Sequence, residues 1–106
     1  MQFLVLAYDG TDPDHAQRRE RARGPHLAAV AQLEARGQFL IGGAILDESG
    51  AMIGSAVIFE FPARDALDRY LATDPYVVGK VWQRIEVRPF RVAQLPTPQS
   101  PEGEQR

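Results

Sequence analysis

A single α+β domain with the order strand, helix, strand, strand, helix, strand is the architecture this sequence predicts, on three observations. Apolar runs of strand length recur at 2–8, 38–46, 51–61 and 81–92. Stretches with helical spacing, 12–36 and 63–73, separate the first run from the second and the third from the fourth. Between the second and third lies only DESG, turn-forming residues of hairpin length. A chain of 106 residues with 44% hydrophobic content suffices for one modest core.

QFLVLAY, residues 2–8, is apolar on both alternating faces and bounded by Asp9-Gly10, the pattern of a strand in the middle of a sheet. Asp12-Pro13 reads as an N-cap followed by proline at the first helical position. The helix it opens runs to Arg36 and stops at Gly37. Within it, RARGPHLAAV places Gly24-Pro25 where an unbroken helix loses about 3 kcal/mol or more, so a break is expected there. QFLIGGAIL and AMIGSAVIFEF form an antiparallel hairpin.

In ARDALDRYLAT, Ala66, Leu67, Tyr70 and Leu71 recur at helical spacing, which marks the second helix. Asp74-Pro75 repeats the cap-plus-proline signature and predicts a short extra turn through Tyr76 and Val78. From Val81 to Val92, Ile85 and Val87 alternate with Arg84, Glu86 and Arg88, and Pro89 lacks a ladder donor; this is a half-exposed edge strand. PTPQSPEGEQR has three prolines and no large apolar residue, so a domain over 1–95 is expected to end in a disordered tail over 96–106.

This order is the ferredoxin-like βαββαβ arrangement with a four-stranded antiparallel sheet. Its two crossovers, read as joining parallel neighbours, should be right-handed and set both helices on one face. The opposite face would then expose apolar side chains of the first and third strands. A second copy of the chain is the economical cover, giving a homodimer through the uncovered sheet face.

Composition removes several functions. Twelve Lys and Arg scattered among fourteen acidic residues leave a net charge of -2, so no nucleic acid partner is expected. The absence of cysteine excludes disulfides and thiolate metal sites, and two histidines eleven residues apart make no metal site. No apolar run approaches a membrane span and no positive leader precedes residue 3, so a soluble cytoplasmic protein without a membrane partner is expected. Gly42-Gly43 lies within a strand rather than between strand and helix, so it makes no phosphate cradle, and no cofactor is implied. Ser55 lacks the G-x-S-x-G setting of an active serine.

What remains is the inward face of the first helix. In a continuous helix positions 19, 23, 26, 30 and 33 would fall on one stripe, so that Val30 and Leu33 lead toward the N-terminus into His26, Arg23 and Arg19, with the phase blurred by a break at Gly24-Pro25. A stripe turning from apolar to cationic as it passes the sheet marks a pocket wall. If a new helical segment starts at Pro25, its free N–H groups, together with Arg23, favour a neutral imidazole at His26, the form a general base needs. The plain alternative is a half-buried boundary histidine bonded to a backbone carbonyl. His15, at the helix start, reads as solvated. For Asp74, helix capping alone accounts for the residue. Ser55 and Tyr76 are candidate hydrogen-bond donors, against an ordinary strand residue and a packing tyrosine.

The segments R-x-x-x-R-x-x-H-L (Arg19, Arg23, His26, Leu27), G-x-x-x-x-G-G (Gly37, Gly42, Gly43), G-S-x-V-I (Gly54 to Ile58), D-P-Y-V (Asp74 to Val77) and E-V-R-P-F (Glu86 to Phe90) resemble the YciI-like, or YCII-related, family. The likeness runs from about residue 1 to 93 and rests on the order and spacing of the segments together. It implies a ferredoxin-like domain in a dimeric α+β barrel-type assembly, with a histidine and an aspartate as a catalytic pair. By position these are His26 and Asp74. Around that pair the residues themselves suggest substrate binding by Arg23, with Arg19, for an anionic group and by Ser55 and Tyr76 as hydrogen-bond donors. One type of member is similar to a dehydrochlorinase acting on a chlorinated hydroxyquinol. DESG is shorter than the proline-containing loop of many relatives, and Gly42-Gly43 stands where Ala-Gly is common, so a relative's substrate does not carry over. The implied function is a cofactor-independent lyase or isomerase acting on a small anionic or phenolic metabolite by proton transfer. The alternative is a non-catalytic small-ligand-binding or regulatory module.

Overall fold

The computed structural model describes residues 1–98. Its elements are β1 (Gln2–Asp9), α1 (His15–Ala35), β2 (Phe39–Leu46), β3 (Met52–Glu60), α2 (Arg64–Leu71), α3 (Pro75–Val78) and β4 (Trp82–Phe90). They form the ferredoxin-like α+β fold, with one four-stranded sheet in the order β2-β3-β1-β4 and every neighbouring pair antiparallel. β4 is an edge strand, as Pro89 requires. Most of the tail expected to lack structure, residues 99–106, lies outside the described residues.

The crossovers correct one expectation. Each joins strands that run parallel but are not neighbours: β3 lies between β1 and β2, and β1 lies between β3 and β4. Antiparallel ladders on both sides of β1 and β3 leave no parallel pair in the sheet.

Strand pleating divides the side chains. Phe3, Val5 and Ala7 of β1 face the helices beside Val57 and Phe59 of β3, and Leu33, Leu67, Leu71 and Tyr76 close the core over them. α1 and α2 therefore cover the same face. On the other face Leu4, Leu6 and Ile58 stay half-buried, and Ile41 is 64% exposed. β1 is thus apolar in both directions for two reasons: one face makes the core, and the other is left without a layer.

α1 differs from expectation in two ways. It starts at His15 rather than after Asp12, whose carboxylate instead takes a two-pronged grip from the Arg18 guanidinium at 2.7 and 2.6 Å. It also runs unbroken through Pro25. Gly24, Pro25 and Arg21, whose carbonyl Pro25 leaves without its N–H, are all exposed, so water can take up the lost bond. On the inward face Arg19, His26, Val30 and Leu33 are buried on both sides of the proline, and this packing holds the helix in one phase. The stripe read from the sequence survives. The argument that His26 opens a new helix does not.

Candidate functional site

Asp74 is assembled by the end of α2 and the start of α3. Its extended backbone makes it the N-cap of α3, and Oδ1 accepts the Tyr76 N–H at 2.8 Å. The same oxygen meets His26 Nδ1 at 2.8 Å, while Oδ2 accepts the Tyr70 hydroxyl. Capping and the histidine contact are therefore not alternatives; one carboxylate does both. Asp74 is fully buried at 0% exposure, and His26 is 7% exposed. An ionised carboxylate only accepts, so against it Nδ1 of His26 carries a hydrogen, and in the neutral ring the lone pair is then on Nε2.

Aromatic rings fix the imidazole plane. Tyr76 stacks on it with centroids 3.8 Å apart and planes 9° from parallel, and Trp82 meets it edge-on at 5.5 Å. Burial raises the Tyr76 phenol above its usual range, an effect that the nearby Arg19 and Arg23 oppose. The Tyr70 phenol is also raised, by burial and then by its bond to Asp74.

His26 opens onto a cavity of about 140 Å³ between α1 and the β2–β3 hairpin, with Arg23 and Leu27 beside it and Asp74 outside the lining. Small residues make the floor. Gly42 lies opposite Val57 and Ala44 opposite Ser55 on the helix-facing side. A Cβ on Gly42 would stand 3.0 Å from Phe39 and 3.0 Å from Val57, so glycine there keeps the floor low. A wider cleft of about 840 Å³ runs beside Met1, Glu60 and Phe90. Its obvious acid and base, Glu60 and the Met1 amine, are already paired at 2.7 Å.

Arg19 and Arg23, grouped by the sequence, are separated by the structure. Arg19 is buried, and its Nη1 donates to both oxygens of Asp9 at 2.9 and 2.7 Å. Its Nη2 lies 3.3 Å from Ser55 Oγ, and its guanidinium sits 4.9 Å from the Tyr76 ring centre. Arg23 is exposed at the cavity and makes no ion pair among the described residues. Ser55 and Tyr76 both line the cavity. His15 corrects its solvated reading: it is half-buried, with Nδ1 sealed and unpartnered.

Sequence reasoning missed Asp9, Tyr70 and Trp82. Tyr70 stands four residues before Asp74, a spacing that could have been read as a contact at the end of a helix. Asp9 and Trp82 carried no such signal, because their contacts with Arg19 and Ser55 depend on how β1 and β4 register.

Residues 1–91 match the YCII-related domain. The chain belongs to the YCII-related family. Among relatives, a Haemophilus influenzae protein is 34% identical over 97 residues, covering 86% of this chain and 97% of that one. Protein YciI of Escherichia coli is 31% identical over the same shares. A structure of 5-chloro-2-hydroxyhydroquinone dehydrochlorinase from Burkholderia phenoliruptrix, in complex with 2,5-dihydroxybenzoquinone, shares the fold of this YCII-related chain. Its TM-score is 0.75 at 24% identity, covering 88% of this chain and 96% of that one. Rv0793 from Mycobacterium tuberculosis matches at a TM-score of 0.53 and 19% identity, over 89% of this chain and 100% of that one.

Proposed function

We propose that this YCII-related protein is a cofactor-independent enzyme that moves a proton on a small anionic or phenolic metabolite, in an elimination or isomerisation. The observation that carries the reading is the 2.8 Å contact between His26 Nδ1 and Asp74 Oδ1, with the histidine on the cavity and the aspartate sealed behind it. A base needs a lone pair directed at substrate and a partner that steadies the cation it becomes.

Nε2 of His26 takes a proton from an acidic C–H or O–H of the substrate, and Asp74 stabilises the resulting imidazolium. In an elimination, the electrons of the broken C–H bond form the new double bond as the leaving group departs with its own pair. In an isomerisation, the imidazolium returns the proton to another atom. Arg23 holds the anionic group, while Ser55 and Tyr76 contribute polar contacts. The dehydrochlorinase among the structural neighbours favours elimination from a phenolic ring. A second copy of the chain covers the sheet face that carries Leu4, Leu6, Ile41 and Ile58.

His26→Gln tests the reading. Glutamine keeps a polar group but has no basic lone pair, so ligand binding should persist while turnover disappears across a library of phenols and hydroxy acids. Native protein that binds members of that library and turns none over would leave a ligand-binding or regulatory module.

A further inference from the structure

Ser55 sits on the helix-facing side of β3 with Ala7 on one flanking strand and Ala44 on the other, and these small neighbours leave room around its hydroxyl. Two donors enter that room. The Trp82 indole N–H reaches Ser55 Oγ at 3.1 Å, and Arg19 Nη2 reaches it at 3.3 Å. A serine oxygen has two lone pairs and one hydrogen. With both lone pairs engaged, only the O–H is left to offer, and it has no acceptor among the described side chains that bond to Ser55.

We infer that Trp82 and Arg19 lock Ser55 as a hydrogen-bond donor toward the cavity, so that the site selects a ligand oxygen in its ionised, acceptor-only form, a phenolate, enolate or carboxylate, over the neutral hydroxyl. The inference rests on the cavity being the ligand site proposed above. Other features of the wall agree with it. Arg19 Nε is a second buried donor without a partner. The Arg19 charge is balanced by Asp9, whereas Arg23 makes no ion pair among the described residues, which leaves one lining guanidinium free to meet an anion. A neutral hydroxyl can accept from Ser55 through a lone pair but finds no acceptor there for its own hydrogen, whereas an ionised oxygen accepts a charge-assisted bond about twice as strong. Asp9 acts one step further back, because it orients the guanidinium that fills one lone pair of Ser55. Trp82, Arg19 and Asp9 are on this account positioning residues.

4-Nitrophenol is a suitable probe, since it fits the class and its neutral and ionised forms absorb differently. Titrating it into the full chain across its ionisation range gives separate affinities for phenol and phenolate. The native protein should favour phenolate by on the order of tenfold to a hundredfold, the range for a hydrogen bond to a charged group. Ser55→Ala removes the donor, and Trp82→Phe keeps the ring while releasing a lone pair so that Ser55 can accept from a neutral phenol. Both changes should lower the preference with His26 untouched. A preference left undiminished in either folded variant overturns the inference. Should Trp82→Phe fail to fold, Ser55→Ala alone decides. If the native protein binds neither form, and His26→Gln changes nothing, the cavity is not a ligand site; the underlying reading then fails, and this one with it.

Discussion

His26 and Asp74 lie 48 residues apart in the chain and meet at 2.8 Å, with a single carboxylate oxygen shared between the imidazole and the first N–H of α3. Asp74→Asn keeps both contacts of that oxygen, because the amide oxygen can stay at the Tyr76 N–H and at His26 Nδ1 while the amide nitrogen takes the place of Oδ2. What it removes is the negative charge that steadies the imidazolium His26 becomes when it takes a proton. We expect any turnover to fall by about 10² to 10⁴. Stability to urea should fall by about 1–3 kcal/mol, because the Tyr70 hydroxyl loses its acceptor. Turnover left unchanged in a folded Asp74→Asn variant would reduce Asp74 to a cap.

The same carboxylate makes a pH prediction. Burial, then the bond to Asp74, raises the Tyr70 phenol, and burial raises Tyr76. In the unfolded chain a tyrosine ionises near pH ~10, so above that point the unfolded state holds fewer protons than the folded one. Stability contributed by these residues is complete below about pH 10 and is lost as pH rises toward the folded values. The chain has three tyrosines, so absorbance titration of phenolate should show two of them lagging in the folded state. Tyr70→Phe should remove one of the lagging signals and flatten the alkaline loss of stability.

α1 offers a test through its exposed face. A Cβ on Gly24 would meet no heavy atom within 4 Å, so Gly24→Ala should stabilise the fold by about 1 kcal/mol from helix propensity alone. Pro25→Ala returns a donor to the Arg21 carbonyl and should stabilise by up to about 3 kcal/mol. Thermal unfolding measures both. A loss of stability in Pro25→Ala would mean that the proline, and not the buried stripe, sets the path of the helix.

These residues also show how far the sequence could be read. The four strands, the hairpin and the α3 cap follow from local chemistry, namely apolar runs, turn residues and Asp before Pro, and all are present in the fold, with strand ends shifted slightly. The stripe from Arg19 to Leu33 was legible because helical spacing alone puts those side chains on one face. The break at Gly24-Pro25 was a local penalty that tertiary burial overrode. The Asp9–Arg19 pair and the Trp82–Ser55 bond were not legible, since they depend on strand order and register. The split between Arg19 and Arg23 follows from the same network.

Gly42 sets the depth of the cavity. Gly42→Val would drive a branched side chain against Phe39, Val57 and the Ala56 carbonyl, all between 3.0 and 3.1 Å from the Cβ position. The cost should be about 1–3 kcal/mol of overpacking, and probe binding should be abolished as the floor rises. Gly43, whose Cβ would meet nothing within 4 Å, is the control: Gly43→Ala should bind as the native chain does. Equal loss in both would place the ligand elsewhere.

The uncovered sheet face makes the last prediction. Ile58 pairs with Leu4 across β1 and with Ile41 across β2, so its side chain sits within an apolar patch on the face that no helix covers. If a second copy covers that patch, Ile58→Lys places a charge inside the interface, where burying it unpaired is strongly unfavourable. In the monomer the same change costs the half-buried isoleucine its pairs with Leu4 and Ile41, roughly 0.2–1 kcal/mol each, too little to unfold the chain. Sedimentation should therefore show the native chain as a dimer and the variant as a folded monomer. A native chain that sediments as a monomer at high concentration would leave the patch to some other partner and remove the homodimer from the proposal.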